Sequence, residues 1–172
     1  VRYSLDPSIE AEQVRLHAQQ TRVDIRGEVD TGGGIFKQIR TRLAAADYKH
    51  SEIAEDGAVG TTFYNQGYEG RLELVQAARG GWEGMVGGQF SLRDMHVVGD
   101  EKFLPKNSAQ QFGLFTLQSL DMGAFKAEAA ARFEHNIVDA QADADLGNPA
   151  YNRSFDSFSA SLGASYAVAK GM

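Results

Sequence analysis

The sequence predicts an all-β chain, an antiparallel β-meander of about seven long strands that forms part of a transmembrane β-barrel. Three observations predict it. Apolar and polar residues alternate with a period of two through most of the chain, which is a strand signal rather than a helix signal. The alternating stretches exceed the usual strand of ~5–6 residues and suit the ~9–11 residues a strand needs to cross a bilayer. The connections between them run short, long, short, long, short, long. That rhythm matches barrels with short turns at one end and longer loops at the other.

The clearest alternation is the hairpin over residues 61–94. Tyr64, Tyr68, Leu72, Leu74 and Ala78 share one parity, and Asn65, Gly67, Glu69, Arg71 and Glu73 the other. In its second arm Trp82, Val86, Phe90 and Leu92 alternate with Glu83, Gln89, Ser91 and Arg93, after a turn at 78–81.

In chain order, residues 1–13 are polar, contain Pro7 and read as loop. Over 14–29 the apolar parity changes once, from Val14, Leu16 and Ala18 to Val23, Ile25 and Val29. A β-bulge produces such a phase change. The rival is a short helix over 9–21, where EAEQVRLHAQQ holds good helix formers. DTGGG at 30–34 is a turn, because glycine supplies positive φ freely. A strand follows over 35–48, then a polar loop over 50–60. Beyond the hairpin, 95–109 reads as a second long loop. The strand over 111–120 does not reveal its faces, since Phe112 and Leu114 compete with Phe115 and Leu117. After a turn at 121–123, residues 125–138 alternate Phe125, Ala127, Ala129, Ala131 and Phe133 with Lys126, Glu128, Arg132 and Glu134. This stretch also has a helix rival, with Phe125, Ala129, Phe133 and Ile137 at i, i+4 spacing. A third loop over 139–154 leads to the last strand, 155–168.

Composition narrows the function classes. At 172 residues, one domain is expected. Charged residues make up 23 %, mean hydropathy is −0.35, and no apolar run approaches the ~18 residues of a membrane helix. A barrel stays open, because alternation hides its apolar face from an averaged scale. Net charge is −6 with both signs mixed, and no basic stripe suggests nucleic acid. There is no cysteine, hence no disulfide framework. Neither VRYSLDPSIE nor AVAKGM reads as a natural terminus, so residues 1–172 are expected to be a fragment of a β-barrel domain.

The string GTTFYNQGYEGRLELVQAARGGWEGMVGGQF resembles the mid-barrel region of TonB-dependent outer-membrane receptors. QTRVDIRGEV, FGLFTLQSLDMGAFKAEAAARFEH and SFDSFSASLGASYAV support the resemblance, which covers residues 14–169. The TTF-x-N-x-GYEGR-x-E stretch is similar to receptors related to zinc uptake, and siderophore receptors are also similar. The resemblance implies active uptake of a metal ion or metal chelate across the bacterial outer membrane, powered by TonB. It also implies a signal peptide, a TonB box, a plug domain and a barrel of about 22 strands. None of the first three is in this sequence, so contact with TonB would run through a plug outside it. The other reading is a soluble β-rich binding or interaction module.

No enzyme motif is present: no G-x-S-x-G, no H-E-x-x-H and no Walker A, and no cofactor is implied. Two of the long loops pair His with carboxylates: His50, Glu52, Glu55 and Asp56 in one, His96, Asp100 and Glu101 in the other. Imidazole and carboxylate suit Zn²⁺ or similar cations, so these are the candidate residues for capturing a metal substrate. The alternative is a set of solvated acidic loop residues. Asp139, Asp143 and Asp145 lack the spacing of an EF-hand. His17 and His135 belong to strand faces, and the Asn152-Arg153-Ser154 sequon reads as accidental.

The charged parity (Arg40, Arg42, Glu69, Arg71, Glu73, Arg132, Glu134) is expected to face a barrel lumen. Facing lipid would cost ~2–4 kcal/mol per Arg or Lys near the midplane. Leu72, Leu74, Trp82, Val86, Phe90, Leu162 and Tyr166 are therefore expected to face outer-membrane lipid. With two open edges, the isolated piece is expected to self-associate.

Overall fold

The computed structural model describes residues 14–99 and 102–168. Its described residues form one antiparallel sheet whose strands follow chain order: β1 (Arg15–Asp30), β2 (Phe36–Ile53), β3 (Val59–Gln76), β4 (Trp82–Gly99), β5 (Asn107–Asp121), β6 (Phe125–Ala140) and β7 (Tyr151–Tyr166). The all-β meander is as the alternation predicts. The sheet is open, with β1 and β7 as its two edges. The expected loop at 1–13 and the upstream part of the rival helix lie outside the described residues; from Arg15 onward that stretch is strand.

Register carries side-chain parity from strand to strand. Leu72 lies opposite Gly88, Gly88 opposite Leu114, Leu114 opposite Phe133 and Phe133 opposite Phe158. Because cross-strand partners point to the same side, this row and its neighbours build one apolar face. Ile25, Leu43, Tyr68, Trp82, Val86, Phe90, Phe112, Leu162 and Tyr166 belong to it. Arg40, Arg42, Glu69, Arg71, Glu73, Arg132 and Glu134 all fall on the opposite face. The same register settles β5. Phe112 and Leu114 join the apolar face, and Phe115 and Leu117 join the charged one.

Nothing in the described chain covers the apolar face. Val97 is the one buried apolar side chain among the described residues, whereas Leu162 is 89 % exposed. The chain's accessible surface is 12444 Å². A compact monomer of 18.7 kDa exposes about 8,300 Å². A single sheet layer has no second layer to bury its apolar side against, which adds to the exposed surface.

Two expectations are corrected. The bulge expected inside β1 is absent, because β1 pairs with β2 in unbroken register from Arg15 to Asp30. The parity change arises because Leu16 and Ala18 lie on the charged face, opposite Glu52 and His50. Register irregularities lie instead between β2 and β3, at Phe36/Gln38 and Ser51/Ile53. Apart from β1, the strands are also longer than expected, and all seven span 15–18 residues. Residues 50–53, 95–99, 107–109 and 151–154 are strand rather than loop. The connections are 31–35, 77–81 and 122–124 at one end, and 54–58, 100–106 and 141–150 at the other. The asymmetry is therefore weaker than the sequence suggests. Polar strand ends pair as well as apolar ones, since the ladder is made by backbone groups that must find partners in any case.

The tight end is built from glycine where the backbone demands it. Arg79 and Trp82 exchange two backbone hydrogen bonds of 2.9 and 3.0 Å around Gly80 and Gly81, whose φ values are 59° and 81°. Two central residues with positive φ make a turn whose twist matches a hairpin.

Candidate functional site

The charged face holds the chemistry. Its recurring device is a base and an acid two residues apart on one strand, which period two places side by side. Arg22 bonds Asp24 at 2.8 Å, Arg71 bonds Glu73 at 2.6 Å, Arg132 bonds Glu134 at 2.7 Å, and Lys126 lies 3.0 Å from Glu128. At the first edge, Arg40 donates to Gln38 at 2.6 Å and pairs with Glu28 at 3.5 Å.

These pairs join across strands. Arg71 Nη1 donates to Gln89 Oε1 at 3.2 Å, and Gln111 Nε2 donates to Glu134 Oε1 at 3.0 Å. Phe115 is the hinge between the two clusters. The Arg71 guanidinium lies 4.3 Å from its ring centroid and that of Arg132 5.8 Å. An aromatic ring on a charged face is thus covered by two cations, each contact worth ~0.5–1 kcal/mol where exposed. Glu73 is buried among these groups, at 8 % side-chain exposure, so its bond to Arg71 is sheltered from water.

The upper end of this face is aromatic. His50 stacks on Phe63 at 4.3 Å with an interplanar angle of 10°, and Phe63 meets Phe103 of the β4–β5 connection at 5.9 Å. Val97 lies opposite Phe63. On the other face, above the apolar rows, His96 stacks on Tyr64 at 4.5 Å and 5°. Asp47, Asp94 and Lys106 line a shallow depression beside them.

The candidate metal residues are therefore separated. His50, Glu52 and His96 sit on strands, not in loops. His50 belongs to the charged face and His96 to the apolar one, since His50 opposes Phe63 while His96 opposes Tyr64, the next residue along. Glu52 falls at the irregularity between Ser51 and Ile53. Glu55 and Asp56 lie in the 54–58 connection, where Asp56 Oδ1 accepts the Ala58 N–H at 2.8 Å and caps the turn. Asp100 and Glu101 lie outside the described residues. Among the described residues, no group of three or more His, Cys, Asp or Glu is placed to hold one ion.

The β4–β5 and β6–β7 connections are tied together by Lys102, which bonds Asp143 and lies 3.6 Å from Asp145. The hydrogen bond from Lys102 holds the Asp143 carboxyl below its ordinary range, and Asp143 raises Lys102 in turn.

Sequence reasoning named neither Arg22 nor Arg26 on this face, and left Phe115 unassigned, whereas Arg93 falls where the alternation put it. The available signal was the repeated basic-x-acidic triplet: RVD at 22–24, RLE at 71–73, KAE at 126–128 and RFE at 132–134. The chain matches no protein-family model and no curated protein.

Proposed function

We propose that this chain is a section of the outer-membrane barrel of a TonB-dependent receptor, serving active uptake of a metal ion or metal chelate. The observation that carries the reading is the apolar face itself, which runs across all seven strands with nothing of the described chain upon it. On β4 it extends from Trp82 to Leu92, and at ~3.3 Å per residue with a ~45° tilt that span covers about 23 Å. The lipid-facing band of an outer-membrane barrel is ~25 Å tall. Trp82, Phe125 and Tyr166 lie at its lower margin, where aromatic girdles sit in such barrels. Above Leu92 the same face turns polar at Asp94 and His96, as strands projecting past a membrane would. The charged face is then lumenal, and its ion pairs are satisfied largely within the sheet. The metal cargo follows from the resemblance of the sequence, with substrate entering from the end that carries the 54–58, 100–106 and 141–150 connections.

Fractionation of cells producing the full-length protein is the test. The protein is expected in the carbonate-resistant outer-membrane fraction, with a mobility on gels that changes on boiling. Recovery in the carbonate-soluble fraction overturns the barrel reading. For cargo, growth limited by a metal or metal chelate is expected to depend on both the gene and TonB; growth unchanged by loss of either removes the uptake assignment.

A further inference from the structure

On the charged face, Arg26 stands directly opposite Arg42, and Arg42 directly opposite Arg71, with Gln89 next in the row. Opposed positions hold their Cβ atoms ~4.5–5.5 Å apart, and like charges there destabilise a sheet. At Arg22, Arg71, Lys126 and Arg132 an acid two residues along offsets the base, and Arg93 and Arg153, unpaired among the described residues, have no base opposite them. Here the pattern fails. Glu28, two residues beyond Arg26, pairs with Arg40 instead, and two residues beyond Arg42 is Ala44. Arg71 has Glu73. Among the described residues, neither Arg26 nor Arg42 forms an ion pair.

The row borders a depression of about 250 Å³ whose charged lining is Arg22, Asp24, Arg26, Arg42, Glu69 and Arg71. Asp24 is engaged by two bonds of 2.8 Å from Arg22. That leaves the single carboxylate of Glu69 against Arg26 and Arg42. Ala44 lies between Asp24 and Glu69 in the neighbouring row, where a longer side chain would fill the space.

We propose that this row is a binding site for a small dianion carrying two oxyanion groups, a dicarboxylate or a diphosphate. A guanidinium fork takes a carboxylate or phosphate through two parallel N–H···O bonds. The neighbouring strands that carry these forks lie ~4.8 Å apart, so one compact molecule with two anionic heads can reach both. The volume lies below the ~300–1,000 Å³ of sites for drug-sized ligands, which sets the ligand's size. The site belongs to the charged face and does not depend on what covers the apolar one. The sheet tolerates opposed arginines here because the compensating charge comes from the ligand.

Titration calorimetry of the full-length protein in detergent, at low ionic strength, tests this with succinate, pyrophosphate and acetate as separate probes. At least one dianion binds, acetate binds more weakly, and added NaCl weakens the binding. Arg42→Gln lowers dianion affinity about tenfold, the loss of one charge-assisted contact, while its thermal midpoint stays the same or rises because a like-charge contact is removed. Arg26→Gln, on β1, gives the same loss independently. Arg153→Gln on β7 changes nothing. Wild-type affinity in both Arg42→Gln and Arg26→Gln overturns the proposal. So does acetate binding as tightly as the dianions, or no binding of either dianion.

Discussion

The two faces of this sheet share every backbone hydrogen bond and differ in what they need from outside. The charged face meets most of its needs internally. Arg71, Glu73, Gln89, Phe115, Arg132, Glu134 and Gln111 hold one another across β3 to β6. The apolar face satisfies a few polar groups internally, such as the Trp82 N–H on Gln118 at 2.8 Å and His135 with Asp156 at 2.6 Å, but not its apolar side chains. Cross-strand rows such as Leu72, Leu114, Phe133 and Phe158 bury little against each other, and these four are exposed. Apolar contact within one layer cannot replace removal from water, which is the larger effect at ~25 cal/mol per Å². A sheet of this composition is half a structure, completed by whatever lies against its apolar side.

The largest expected effect comes from placing a charge in the middle of that side. Leu114→Arg is expected to cost ~2–4 kcal/mol in urea unfolding of the full-length protein in lipid vesicles. A change within ~0.5 kcal/mol, the size of an ordinary surface substitution, would instead mean that this face meets water.

The matching perturbation on the charged face is Arg71→Met. It leaves the buried Glu73 without its partner and Phe115 without its nearer cation. A loss of ~1–3 kcal/mol is expected by the same measurement. Adding Glu73→Gln to it should recover part of that loss, because the orphaned charge is removed. No recovery would mean that packing on Phe115, not charge, dominates there.

Two glycines sharpen the contrast further. On the apolar face a Cβ at Gly70 would run into the Phe90 ring, the far end of a side chain with open space beside it. On the charged face a Cβ at Gly87 would meet both the Phe115 ring, which Arg71 covers, and the Leu72 carbonyl oxygen at 2.6 Å. Gly87→Ala is expected to cost ~1–3 kcal/mol as overpacking against groups that cannot yield, and Gly70→Ala less than ~1 kcal/mol. Equal losses would show that Phe90 is held as firmly as Phe115.

The smallest effect lies beyond both faces, at the Lys102–Asp143 tie. Asp143 titrates below its ordinary value when folded, so its contribution is present above the ordinary carboxylate range and is lost as pH falls through the depressed value. Lys102 titrates above its ordinary value, so its contribution is present below the ordinary lysine range and is lost as pH rises through the raised value. Amide exchange in the described parts of the 100–106 and 141–150 connections should therefore be slow at neutral pH and rise at both extremes, with the strands unchanged. Exchange independent of pH, after correction for the intrinsic rate, would show that the tie does not order these loops.

Much of this was legible in the chain because side-chain parity is a local property. Leu72 and Arg71 point to opposite sides whatever the neighbouring strands do, and the seven strands could be read from alternation alone, with both side-chain sets except in β5 and the start of β1. The triplet that pairs Arg71 with Glu73 is local for the same reason. Register is not local. Which side Phe115 joins depends on how β5 meets β4 and β6, since its own segment is apolar on both parities. Whether polar residues such as His50 and His96 extend a strand or leave it depends on finding a partner backbone, not on their own chemistry. Once paired, they stand on opposite faces. The row of Arg26, Arg42 and Arg71 draws on three strands separated by two turns, so only the assembled sheet could bring like charges together and make an anion site of them.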